Sequence, residues 1–306
     1  MTRRVSALFA AGLLSVGGGA AGTGARLALE WKRAAPLPVA RSEVAAATVG
    51  RELVVVGGFL ADGRSSKRVD AYSPAKNRWR QLPDLPVAVN HAMAASDGRR
   101  LYVVGGYGAP TRAFVFSAGR WRRLPDLPEP RAAAGAAIVG RTLYVVGGVA
   151  RGGLAQRALA FDRTRRRWTT IPGPKPREHL GVSSLGGRVY AVAGRESGTN
   201  FDAFQVYVPA RRSWTSLPRV PETRGGTDSA SVGPLLVSAG SESQAGTSAA
   251  VYAFDVRTRR WRRLPDLPTA RHGLGVLGFG GRVYVIAGGP TPGLSVSRAN
   301  EFLQLR

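Results

Sequence analysis

Five arginines recur at matching positions along the chain: Arg41, Arg131, Arg177, Arg224 and Arg271, with Asn90 in the remaining place. Five guanidinium forks around one opening would suit a carboxylate, sulfate or phosphate. The other reading is structural, because a buried arginine is retained only when paired, here with carbonyls and carboxylates of adjacent repeat units. Near these positions stand Glu178, His179, Glu196, Asp202, Asp228 and Glu242. Carboxylates beside a histidine and several arginines support proton abstraction or sugar binding, with Glu178, His179 and Glu196 as proton-transfer candidates. The same carboxylates would equally balance the arginine charge. Of the three histidines, His91 and His272 directly follow the aligned position, whereas His179 lies one residue further on. Strand side chains alternate faces, so that offset argues against convergence on a metal, and neither metal nor other cofactor is expected. No phosphate loop, nucleophile elbow or helically spaced metal pair is present.

The element that positions these residues is a repeat. Trp31, Trp79, Trp121, Trp168, Trp214 and Trp261 are all the tryptophans, spaced by 48, 42, 47, 46 and 47 residues, and each is followed by prolines. The fullest copy reads Trp261-Arg-Arg-Leu-Pro-Asp-Leu-Pro268. Self-similarity at such a period marks a repeat architecture. Upstream of the last five tryptophans the same grammar recurs: a small-sided strand, a turn, an apolar strand ending in Gly57-Gly58, Gly105-Gly106 or Gly147-Gly148, a polar loop, and an aromatic strand. The fourth and fifth copies carry Ala193-Gly194 and Ala239-Gly240 instead. Tyr72, Phe116, Phe161, Tyr207 and Phe254 each precede a tryptophan by five to seven residues. Four short antiparallel strands per unit of this length make one propeller blade.

This combination of Gly doublet, downstream Tyr or Phe, and spaced Trp resembles the kelch repeat, from Trp31 to the C-terminus. The expected fold is all-β, a six-bladed kelch-type propeller with four antiparallel strands per blade. The blades are expected over 39–86, 87–128, 129–174, 175–221, 222–268 and 269–306. Small inner strands such as 44–49 would relieve crowding around the central channel. The last unit has no Trp of its own, while Trp31 stands at the other end. A strand in 26–38 is therefore expected to close the ring by pairing in the last blade. The resemblance also brings in copper oxidases of the galactose oxidase type, which need a Cys-crosslinked Tyr. With no Cys here, that chemistry is excluded. Disulfides and thiolate metal sites go with it.

Residues 1–25 have the build of an export signal or N-terminal anchor: Arg3-Arg4, a weakly apolar stretch, then a run of small residues. Cleavage after Ala21 or Ala25 fits, and the arginine pair resembles a twin-arginine signal. No membrane span is expected in the mature form, and the protein is expected to be exported: extracellular, periplasmic or cell-wall associated. The net charge is +25, yet only Lys32, Lys67, Lys76 and Lys175 among 44 basic residues are lysine. That skew fits genome composition as well as an anionic partner, although the positive field favours weak polyanion association either way.

The leading functional expectation is an exported, monomeric binding module that recognises a protein or a glycan, acidic glycans included. Contact would run through Arg41, Asn90, Arg131, Arg177, Arg224, Arg271 and their loops. One alternative is a sugar-active enzyme resembling the bacterial sialic-acid mutarotases, in which the arginines would hold the sugar carboxylate. Another is a cell-wall polyanion binder.

Overall fold

A computed structural model of the chain describes residues 1–2 and 29–305. The export or anchor reading of 1–25 falls almost wholly outside the described residues. Twenty-four strands form six four-stranded antiparallel sheets, and the sole described helix is the single 3₁₀ turn Pro209–Arg211. In blade one, Ala45–Val49, Glu52–Val56, Val69–Ser73 and Arg78–Leu82 pair in chain order. Blades two to five repeat that order. In the sixth sheet Gly275–Phe279, Arg282–Ile286 and Asn300–Gln304 are joined by Trp31–Arg33, with Trp31 opposite Leu303 and Arg33 opposite Glu301. The innermost strands neighbour one another in cyclic order, so the sheets form a six-bladed β-propeller.

The core is divided into six apolar clusters, each lying between two adjacent blades. Val54, Val56 and Val69 of blade one, for example, pack with Leu101, Val103 and Phe114 of blade two. Leu277, Tyr284 and Ile286 of blade six pack with Leu53, Val55 and Tyr72 of blade one. Each sheet is thus apolar on both faces, which explains the continuously apolar runs 53–56 and Leu101–Val104 in second strands. The tryptophans sit at the rims of these clusters and stitch the blades together. Trp79, Trp121, Trp168, Trp214 and Trp261 donate their indole N–H to the carbonyls of Ala35, Pro83, Pro125, Pro172 and Pro218, each in the preceding blade.

Inner strands are built from small residues because neighbouring blades converge on the channel. A Cβ on Gly135 would strike the side chain of Val182 in the next blade, and one on Gly278 the carbonyl of Ser231. The channel they leave holds about 80 Å³ of water-sized space near one mouth. At that mouth the main chain forms a closed ring of its own. His91 N bonds Glu43 O, Ala133 N bonds His91 O, His179 N bonds Ala133 O, Gly226 N bonds His179 O, and Gly273 N bonds Gly226 O. Val44 N returns to Gly273 O at 3.4 Å. All six ring residues, Glu43, His91, Ala133, His179, Gly226 and Gly273, are left-handed, with φ between 50° and 70°.

Candidate functional site

The five arginines do not line the mouth. Arg41, Arg131, Arg177, Arg224 and Arg271 have no exposed surface. Each turns into its own blade and spends its donors there. Arg41 bonds the carbonyls of Gly57 and Arg68 and the Asp70 carboxylate. Arg131 bonds Gly147, Arg157 and Glu129. Arg177 takes the carbonyls of Ala193, Lys175 and Ala191 with the Gln205 amide oxygen. Arg224 takes Ser238 and Ala250, under the Tyr252 ring. Arg271 takes Ala287, Thr269, Val285 and the Glu301 carboxylate. Burial pushes Arg41, Arg177 and Arg224 down to about 10, which still leaves them charged at neutral pH. The expected arginine-lined opening therefore gives way to five internal braces, because a guanidinium is the side chain able to satisfy several converging carbonyls at once.

Asn90 is not the sixth member of that set. Each arginine carbonyl accepts from a glycine of the preceding blade in a fixed pattern: Gly106 N to Arg131 O, Gly148 N to Arg177 O, Gly194 N to Arg224 O. In the second blade the corresponding bond runs from Gly58 N to Val89 O. Val89 holds the place, so His91 and His179 are equivalent residues, and His272 is the one offset. With that correction the argument against convergence reverses.

The histidines gather around Glu43. His91 Nε2 lies 3.2 Å from Glu43 Oε2, and His179 Nε2 lies 4.0 Å from the same oxygen. The two imidazoles meet edge to face with centroids 4.9 Å apart, across the small Ala133 of the intervening blade. On the other side of the carboxylate, His272 Nδ1 lies 3.1 Å from Glu43 Oε1 and 3.4 Å from Glu242 Oε2. Arg195 completes the pit, reaching Glu242 Oε1 at 2.6 Å and Glu178 Oε1 at 3.4 Å. Asn90 supports from behind, with Oδ1 2.5 Å from His91 Nδ1.

The loops after the glycine pairs bring these groups in. Each folds back on the mouth, as in the bridges of Asn90 with Tyr107 and of Glu178 with Arg195. The glycine in the second place of each Gly-Gly or Ala-Gly pair makes room for that crossing. A Cβ on Gly106 would lie 2.7 Å from the Asn90 carbonyl, and one on Gly194 2.9 Å from that of Glu178. Both glycines have positive φ, a second reason for glycine there.

Electrostatics follow from this crowding. Burial pushes the Glu43 carboxyl up, but His91, His272 and His179 outweigh it and hold the group well below the usual carboxylate range. Burial lowers the His91 imidazole despite Glu43 beside it. Burial also opposes charge on His272, yet Glu43 and Glu242 prevail and raise it. Glu178 is held low against burial by His179 and Arg195. Farther down the channel, burial pushes Asp228 up to about 7, against the N–H groups of Val276 and Ser229 that bond it. Glu196 is exposed on the hairpin Arg195–Glu196 and Thr199–Asn200, and Asp202 pairs outward with Arg219 at 3.4 Å. Neither belongs to the pit. Of the expected carboxylates, the structure brings together Glu178 and Glu242 and adds Glu43.

A family model described as the KLHDC2/KLHL20/DRC7 Kelch-repeats domain matches residues 43–223 and, in an overlapping register, 114–289. The chain belongs to the kelch-repeat family. Comparison with curated proteins gave no match. A kelch propeller is consistent with a protein-binding module. Among the described residues no helix is long and apolar enough to cross a membrane. Within this kelch ring, Glu43 and Arg195 were the residues the sequence reading passed over. The signal for Glu43 was present: it follows Arg41 by two residues, as His179 follows Arg177.

Proposed function

We propose that this kelch propeller is a binding module that receives a segment of another protein on the face bearing the pit. One observation carries the reading: His91, at the pit edge, lies between the rings of Phe59 at 5.6 Å and Tyr107 at 5.3 Å, both edge to face. Tyr107 is 43% exposed, and Leu294, next to Gly293 whose N–H bonds Glu242, is 55% exposed. Apolar and aromatic groups around a buried polar centre are the anatomy of a protein contact. Three carboxylates in the pit, with the arginines of the repeat turned inward, disfavour an acidic glycan.

The test is a peptide-display selection run beside a glycan array on the full chain. Enriched peptides should bind at least about tenfold more weakly to Tyr107→Ser and Leu294→Ser, as expected of interface anchors. Arg211→Ser on the opposite face should be silent, and melting temperatures should be unchanged. Enrichment of glycans alone, or equal binding by Tyr107→Ser, overturns the reading. Export of the chain, suggested by residues 1–25, is a separate part of the proposal. It is checked by fractionating cells that carry the Arg3→Lys/Arg4→Lys variant, which should be retained inside.

A further inference from the structure

We propose that Glu43, His91 and His179 bind one divalent first-row transition ion, of the zinc class, at the mouth of the channel. One carboxylate oxygen and two imidazole Nε2 atoms approach one another here, all within 4.8 Å. In a tetrahedral zinc site, with bonds of about 2.0–2.1 Å, neighbouring donor atoms stand about 3.3 Å apart. The His91 to Glu43 separation is 3.2 Å, and a small rotation of the His179 ring closes its 4.0 Å.

Three independent features point the same way. First, the His179 side chain is 9% exposed, and its Nε2 has no hydrogen-bond partner, standing 4.0 Å from Glu43 Oε2. A buried ring nitrogen without a partner is a cost that a bound ion removes. Second, the groups behind the donors are those that orient metal ligands. His91 Nδ1 faces Asn90 Oδ1 at 2.5 Å, and His179 Nδ1 faces Glu178 Oε1 at 3.3 Å, itself braced by Arg195. Placing the ring proton on Nδ1 leaves both Nε2 lone pairs directed to Glu43, the carboxylate–histidine–metal arrangement. Third, all three donors occupy left-handed backbone positions, where an equivalent ring residue is Gly226 or Gly273. A non-glycine residue in that conformation is strained by its Cβ. Of the four non-glycine residues in the ring, Ala133 carries no donor, and the other three are the glutamate and two histidines that converge.

Two imidazoles and one carboxylate suit zinc, nickel, cobalt or iron(II), and with no cysteine the softer thiolate sites are excluded. Three protein donors leave coordination positions for water or an incoming group, as in a binding or catalytic centre and unlike a closed structural one. This inference stands apart from the protein-ligand reading, since it concerns the ion alone.

The experiment uses the full chain with no histidine tag. Equilibrium dialysis against zinc chloride should show one equivalent bound, and cobalt chloride should give visible d–d absorption at the same stoichiometry. His91→Ala and His179→Ala should each weaken uptake at least about tenfold, since even supporting residues of metal sites are worth that much. His272→Gln should retain the ion. A zinc-dependent rise in wild-type melting temperature, absent from His179→Ala, is expected from binding to the folded state. No stoichiometric uptake by the wild type overturns the proposal, as does unchanged uptake in the His91→Ala/His179→Ala double variant. Loss in His272→Gln alone also overturns it, moving the ion to Glu43, Glu242 and His272. Should a variant fold poorly, the wild-type cobalt spectrum still decides, because it needs no substitution.

Discussion

Trp31 donates its indole N–H to the carbonyl of Pro265, 2.9 Å away and 234 residues along the chain. The bond has the same geometry as the other five tryptophan staples, so the joint between blades five and six is built like every other.

Removing that staple should cost what removing any other costs. Trp31→Phe keeps most of the apolar contact but leaves the Pro265 carbonyl without its donor, at about 1 kcal/mol. The melting temperature should fall by roughly 2–4 °C. Trp168→Phe, whose bond to Pro125 lies in mid-chain, should lower it by a similar amount. Scanning calorimetry of both variants checks the equivalence, which fails if Trp31→Phe alone is silent.

The buried arginines should prove essential to folding. Arg271 Nη1 lies 2.6 Å from Glu301 Oε2, with side-chain exposures of 0% and 5%. Arg271→Met strands that carboxylate and three carbonyls, and breaking a buried pair from one side costs about 3–5 kcal/mol. Arg271→Met/Glu301→Met should recover part of the loss, because the stranded charge is gone. Arg271→Lys should recover little, since one ammonium cannot replace the fork. Urea denaturation of the three variants measures the differences.

Stability should fall between mild acid and neutral pH through Asp228. Its carboxyl touches channel solvent but is ringed by protein, and burial raises it from 3.8 to about 7. In that interval the folded protein holds a proton that the unfolded chain has released. The contribution is therefore complete below about 3.8 and lost as pH climbs through about 7. The difference in melting temperature between Asp228→Asn and wild type should move in favour of the variant from pH 4 to pH 8. A pH-independent difference would show that Asp228 is solvated like a surface carboxylate.

The channel wall should not tolerate even one added methyl at its tightest point. Gly278→Ala points a Cβ at the carbonyl of Ser231 in the neighbouring blade. Relief requires the blades to part, which also strains the Thr48 hydroxyl bond to the Gly278 carbonyl. A loss of about 1–3 kcal/mol is expected. Gly119→Ala, in open space at an outer turn, has no neighbour to displace and pays only for its backbone conformation. Thermal melts of the pair separate crowding from strain.

The blade grammar was readable because it is periodic: tryptophan, proline pair, glycine pair and downstream aromatic each recur with a spacing that local propensity cannot mimic. The site was less readable, for a specific reason. The second blade has a valine where the others have arginine, and matching Asn90 to the arginines by its polarity slid His91 out of register with His179. Backbone hydrogen bonding, which is indifferent to side-chain type, places Val89 there instead. Whether an arginine faces the opening or the blade was also beyond spacing alone. That depends on where carbonyls converge, such as those of Gly57 and Arg68 on Arg41, and no single stretch of sequence contains them.

Because each blade is fastened to its predecessor by the same indole bond and the same apolar seam, the ring has no mechanically privileged first blade. Linking Trp31–Arg33 covalently to Asn300–Gln304 and opening the backbone between two other blades would leave every seam intact. The fold is therefore a circularly permutable scaffold, in which the mouth residues keep their places whichever blade is synthesised first.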